Sequence, residues 1–188
     1  MEGMMGRYHM LESGTRQYLS IHFPGDWPDA QGLFIDRMDH SVCALGRAAV
    51  CAIPHDQLIA TFRERPAFGF AVWRETLIDA AIFREAITNI GSRAGVSRMA
   101  HFLCEVFYRA RAIGLVKGTA CALPLTQTQV GEFLGMSLVS VSRTMRVFRA
   151  HRVADLSAGK LTISDFRKLA DIGDFDSAYL HSKVQISR

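Results

Sequence analysis

Hydrophobic and polar positions change period along this chain, and each change marks an element. Residues 16–23 (Arg-Gln-Tyr-Leu-Ser-Ile-His-Phe) alternate at period two, the spacing of a half-buried strand. A Ser13-Gly14 turn signal precedes them and Pro24-Gly25-Asp26 follows. Small apolar residues from Ser41 through Leu45 to Ile53 predict a second β-rich stretch that stops at Pro54 and places Cys51 in a buried-type strand. Residues 29–37 predict a short helix between the two, and residues 55–65 another, closed by Pro66.

From Ala67 the period turns helical for about twenty-five residues. Trp73, Ala80 and Ile87 recur every seven residues, with Thr76, Phe83 and Ile90 three residues after each. Leu77, Ile78, Ala81 and Ile82 form a second apolar face. A helix apolar on two sides needs two surfaces to bury against. One is its own domain, and the most economical second is a copy of itself. Complete burial inside one domain would satisfy the same pattern. Gly91-Ser92 and Gly95 read as a hinge, after which Val96, Met99, Ala100, Leu103, Val106, Phe107 and Ala110 form the stripe of another helix.

The stretch from Leu125 to Met145 is the most informative. Thr126 with Gln129 makes a capping box that opens a helix just after Pro124. Gly135 ends that helix by supplying a left-handed turn, and Ser137 caps a second helix with Val141, Met145 and Phe148 on its inner face. Gly131, one turn before Gly135, supplies the small residue that two closely crossing backbones need. This is a helix-turn-helix, whose second helix presents its N-terminal residues to the major groove. The exposed positions of that helix are Val139, Ser140, Ser142, Arg143 and Arg146. Arg143 suits a bidentate contact to guanine, and Ser142 with the amides near Ser137 suits phosphate or base-edge bonds. Arg149, Arg152 and Lys160 read as phosphate clamps. Residues 152–156 and 160–163 flank Ser157-Ala158-Gly159 as a small hairpin, the wing of a winged helix.

Charge changes the picture once it is divided along the chain. The 188 residues carry a net charge of +4. Residues 1–116 balance twelve basic against twelve acidic side chains, whereas residues 117–168 hold eight basic and three acidic, a net +5. The positive excess thus sits on the helix-turn-helix, as an anionic partner requires. Composition is that of an ordinary globular protein, 49% hydrophobic and 21% charged. No apolar run reaches the ~18–20 residues of a membrane span, and the start lacks a signal-peptide pattern. Four dispersed cysteines without a CxxC point to a reduced, cytoplasmic setting.

Residues 92–168 resemble the DNA-binding domain of the Crp/Fnr family of bacterial transcription regulators, on the Leu-Thr-Gln-Thr-Gln-Val-Gly-Glu-Phe-Leu-Gly run and on Val141-Ser142-Arg143. The resemblance extends through residues 73–90 and the hinge at 91–95. It also takes in residues 16–26, which are similar to late strands of the family's effector-binding β-roll. It implies an α+β fold: a partial, cyclic-nucleotide-binding-like β-roll over 1–66 whose N-terminal part is missing, a dimerisation helix and hinge over 67–93, a winged helix-turn-helix over 94–168, and a tail over 169–188. It implies a homodimer on a pseudo-palindromic operator, with double-stranded DNA as partner, RNA polymerase as a further one, and an unidentified effector. The expected DNA-contacting residues are Thr126, Gln127, Ser137, Leu138, Val139, Ser140, Ser142, Arg143, Arg146, Arg149 and Lys160. The expected dimer seam is Trp73, Thr76, Ala80, Phe83, Ile87 and Ile90.

The chain departs from the family at informative places. Cyclic-nucleotide-binding members carry Gly-Glu in the phosphate cassette and Arg-Ser after it, where this chain has Asp29-Ala30 and His40-Ser41. Without the arginine a cyclic phosphate has no charge partner, and Asp29 repels it, so control by cyclic AMP is not expected. Leu138 and Val139 replace polar readers and suit thymine methyls. A truncated interaction protein that heterodimerises with a full-length paralogue is the alternative. Cys51-x3-His55 and His101-x2-Cys104 have zinc-like spacing, but nothing in the sequence brings them together. No catalytic spacing is present, so no enzyme, metal or cofactor is expected.

Overall fold

Three strands begin the chain in the computed structural model, which describes residues 2–182. β1 (Glu2–Met10), β2 (Arg16–His22) and β3 (Ser41–Ala49) form an antiparallel sheet in the order β2-β1-β3. The strict alternation expected over residues 16–23 does not hold: Tyr18, Ser20, Ile21, His22 and Phe23 are all buried, because a register shift opposite Arg7 and Tyr8 leaves Leu19 unpaired and brings Tyr18 and Ile21 to one face. β3 ends four residues short of Ile53, so Cys51 is exposed on an irregular segment rather than buried in a strand. Pro54 removes a donor there, and no strand pairs with residues 50–53. The helix expected over 29–37 reduces to one 3-10 turn, Ala30–Leu33, whose N-cap Asp29 makes no side-chain cap bond.

Two helices follow, α1 (His55–Glu64) and the long α2 (Pro66–Ser92), which runs on through Gly91. The chain divides near Arg84 into two compact units. Within the first, Arg7 joins the sheet to α2. Its guanidinium is 1% exposed, pairs with Asp79 at 2.9 Å, lies over the Phe83 ring at 5.0 Å and donates to the Pro28 carbonyl.

The second unit is built on α3 (Gly95–Ala112), whose inner stripe Met99, Ala100, Leu103, Cys104 and Ala110 is fully buried. Around it lie α4 (Gln127–Leu134), α5 (Leu138–Ala150) and a small antiparallel sheet of β4 (Ala120–Ala122), β6 (Lys160–Ile163) and β5 (Ala154–Ser157), in the order β4-β6-β5. The β5–β6 hairpin is the expected wing. α6 (Phe166–Gly173) packs against α3 with Leu169 fully buried, so the tail boundary expected at 168/169 falls inside a helix. Residues 183–188 of that tail, and Met1, lie outside the described residues. Burial pushes the Cys104 thiol above its usual range and Cys121 up to about 11, so both are inert packing groups. Among the described residues no helix is long and apolar enough to cross a membrane.

Candidate nucleic-acid interface

The turn between α4 and α5 is set by short-range chemistry. Thr126 Oγ1 accepts from the Gln129 amide at 3.1 Å, while Gln129 Oε1 accepts from the Thr126 amide at 2.9 Å, closing the capping box. Gly135 ends α4 at φ 60°, ψ 39°, a left-handed conformation that glycine adopts without a Cβ penalty. At Gly131 a Cβ would stand 2.5 Å from the Met136 carbonyl oxygen, so the two backbones cross where only glycine fits. Ser137 Oγ then accepts from the Ser140 amide at 3.2 Å and caps α5.

These constraints fix which face α5 presents. Val141, Thr144, Met145 and Phe148 are buried against α3, α4 and the wing side. The opposite face is open: Leu138 is 52% and Val139 67% exposed, and Ser140, Arg143, Arg146 and Arg149 are exposed beside them. Ser142 is half-buried at the margin. At the start of α4, Thr126 is exposed and Gln127 half-buried; Lys160 is exposed on the wing. Arg149 is partly committed within the protein, since its Nε lies 3.6 Å from Asp155 Oδ1. The face therefore combines an apolar pair, hydroxyls and arginines at a capped helix N-terminus, where backbone N–H groups favour anions.

Two groups of residues sit behind this face without any local signal in the sequence. Arg98 of α3 donates to the Leu134 carbonyl at 2.7 Å and to the Arg93 carbonyl at 3.1 Å. His101, 2% exposed, has Nδ1 3.2 Å from the Gly173 carbonyl and Nε2 3.2 Å from the Tyr179 hydroxyl, which donates to Glu105 at 2.7 Å. Burial holds the His101 imidazole below its usual range, helped by Arg93 and opposed by Glu105 and Glu85.

The expected seam residues of α2 divide by exposure. Trp73 and Ile87 are 61% and 72% exposed, with Phe70 and Leu77 open beside Trp73. Thr76, Ala80, Phe83 and Ile90 are half-buried. In the first unit, His40 Nε2 and Asp29 Oδ1 meet at 2.9 Å. Nearby, a cavity of about 450 Å³ opens between Phe23, Trp27, Leu33, Val42 and Leu58.

Comparison with known proteins now adds to this geometry. Residues 97–172 match the family described as a Crp-like helix-turn-helix domain. The chain is 26% identical over 168 residues to the nitrogen fixation regulation protein FixK of Bradyrhizobium diazoefficiens, covering 88% of this chain and 68% of FixK. It is 27% identical over 172 residues to the anaerobic regulatory protein of Haemophilus influenzae, covering 90% of this chain and 66% of that protein. Residues 97–172 thus form a Crp-like helix-turn-helix domain, and the chain is similar along most of its length to transcription regulators of the Crp/Fnr type.

The chain spans about two thirds of the length of the curated relatives it matches. Its fold is similar to that of FixK2 from Bradyrhizobium japonicum, with a TM-score of 0.78 at 21% identity, covering 90% of this chain and 83% of that one. A structure of CprK complexed with OCPA is similar at a TM-score of 0.64, over 91% of this chain and 77% of that one.

Proposed function

We propose that this chain is a sequence-specific DNA-binding transcription regulator that acts as a homodimer on a pseudo-palindromic operator. The observation that carries the reading is the open face of α5, where exposed Arg143 and Arg146 stand beside Leu138, Val139 and Ser140 at a capped helix start. That combination suits base reading in the major groove: a guanine contact from Arg143, thymine methyls against Leu138 and Val139. Thr126, Gln127, Ser137 and Ser142 then position the backbone, and Arg146, Arg149 and Lys160 contact phosphate.

The exposed apolar stripe of α2 supports pairing with a second copy, which would set two recognition helices about 34 Å apart. The paired Asp29 and His40 support a signal other than cyclic AMP, because neither leaves a cation for a cyclic phosphate. The regulator is read as a non-catalytic, cytoplasmic protein with RNA polymerase as its downstream partner.

A mobility shift with purified protein tests this reading. The protein alone is expected to retard a selected duplex, and mixing with a tagged, longer version is expected to give one intermediate band. Cyclic AMP is expected to leave the shift unchanged. No shift alone, together with loss of a full-length relative's shift on mixing, would contradict the proposal.

A further inference from the structure

The turn that launches α5 touches more than its own two helices. A Cβ placed on Gly135 would stand 3.8 Å from Arg98 Nη1 and 3.9 Å from Ile90 Cγ2, and one on Gly95 would stand 3.3 Å from the Met136 methyl. The last turns of α2, the hinge and the α4–α5 turn therefore meet at one joint. One guanidinium holds it together. Arg98 Nη1 donates to the carbonyl of Leu134, the last residue of α4, and Nη2 donates to that of Arg93, just beyond α2. Asn89, 5% exposed near the end of α2, donates from Nδ2 to the Arg98 carbonyl at 3.1 Å.

The chemistry suits a tie between elements. Last-turn carbonyls have no partner inside their own helix and carry the negative end of its dipole. A planar guanidinium reaches two such carbonyls from two separate, rigidly placed nitrogens, whereas a lysine must bond both from a single nitrogen. The joint is also incompletely satisfied: Asn89 Oδ1, Arg93 Nε and Arg98 Nε are buried without hydrogen-bond partners. Buried unpaired groups are costly, so the joint is held by the bonds it does make.

We propose that Arg98 is a positioning residue whose guanidinium locks the α4–α5 turn to the end of α2, while Asn89 separately ties that end to the main chain of α3, so that the placement of the end of α2 sets how α5 is presented. The inference rests on the DNA-binding reading above for its consequence, but the lock itself can be measured without DNA. Arg98→Gln, Arg98→Lys and Asn89→Ala are made in the full chain. Amide exchange is followed at residues 135–139, and affinity is measured for a selected duplex and for a scrambled duplex of equal length.

Arg98→Gln is expected to speed exchange at residues 135–139 about tenfold and to weaken the selected duplex about tenfold, while scrambled duplex changes less than about twofold. Arg98→Lys falls between, and supplies the measurement if the glutamine variant does not fold. Asn89→Ala removes a bond to the main-chain carbonyl of residue 98, which Arg98→Gln leaves in place, so its effect on exchange is expected to add to that of Arg98→Gln. Unchanged exchange at the turn overturns the lock. Equal losses on both duplexes assign Arg98 to general stability and overturn its positioning role. An unsubstituted protein that does not discriminate the two duplexes overturns the DNA-binding reading, and exchange at the turn still decides the lock.

Discussion

Arg143 and Arg149 project from one helix but are expected to do different work. Arg143 is exposed at the start of α5, so Arg143→Ala should cost about 1–3 kcal/mol of discrimination at one base pair. Arg149 lies near its end and already faces Asp155, so Arg149→Ala should weaken every duplex alike and lower the salt slope by about one. Affinity measured against single-base variants at several salt concentrations separates the two. His101 carries a third expectation. The fold holds its imidazole below the usual range through burial and Arg93, so the unfolded chain binds a proton that the folded chain refuses. Stability from this site is present above about pH 6.5 and is lost as pH falls below that value. The melting temperature should drop between pH 7.5 and 5.5, and His101→Gln should flatten that drop. A steeper slope in the variant would contradict the assignment. The roles of Arg143 and Arg149 were suggested by the sequence, but the contacts of His101 and Arg98 were not, because the Gly173 carbonyl is 72 residues away and the Leu134 carbonyl that Arg98 holds is 36 away.

Helices and turns were legible where their causes are local. The Thr126–Gln129 box, the Gly135 turn and the Ser137 cap each act within four residues, and α4 begins and ends, and α5 begins, where those residues place them. β1 escaped notice because its glycines break the alternation and its pairing lies with β2 and β3 rather than in its own pattern. α6 was hidden in an apparent tail, although burial of Leu169 against α3 makes it part of the second unit. On α2 the heptad pattern located an apolar face, and exposure now narrows it. Trp73 and Ile87 stand open, while Phe83 is engaged by Arg7 and Ile90 by the joint at Gly135. Trp73→Glu with Ile87→Glu should therefore convert a dimer to a monomer in sedimentation while leaving the helical circular dichroism unchanged. A dimer that survives both charges would place the seam elsewhere.

At the scale of the molecule, a neutral stretch over residues 1–116 and a basic winged helix make one chain for which two tasks are proposed, pairing through α2 and contacting DNA through α5. The division of charge was visible before any coordinates, since the +5 over residues 117–168 coincides with the Crp-like domain at 97–172. What sequence patterns did not convey is how the parts are tied, through Arg7 in the first unit and Arg98 in the second, because both ties cross many residues of chain. Dimeric reading of DNA makes the most direct demand on the whole protein. Selection from a pool of random duplexes by the purified full chain should enrich a motif of two inverted half-sites centred about one helical turn apart. The same selection with Arg143→Ala should lose one base position in each half. Enrichment of a single unpaired half-site would contradict the dimer, and no enrichment over the starting pool would contradict sequence-specific binding itself.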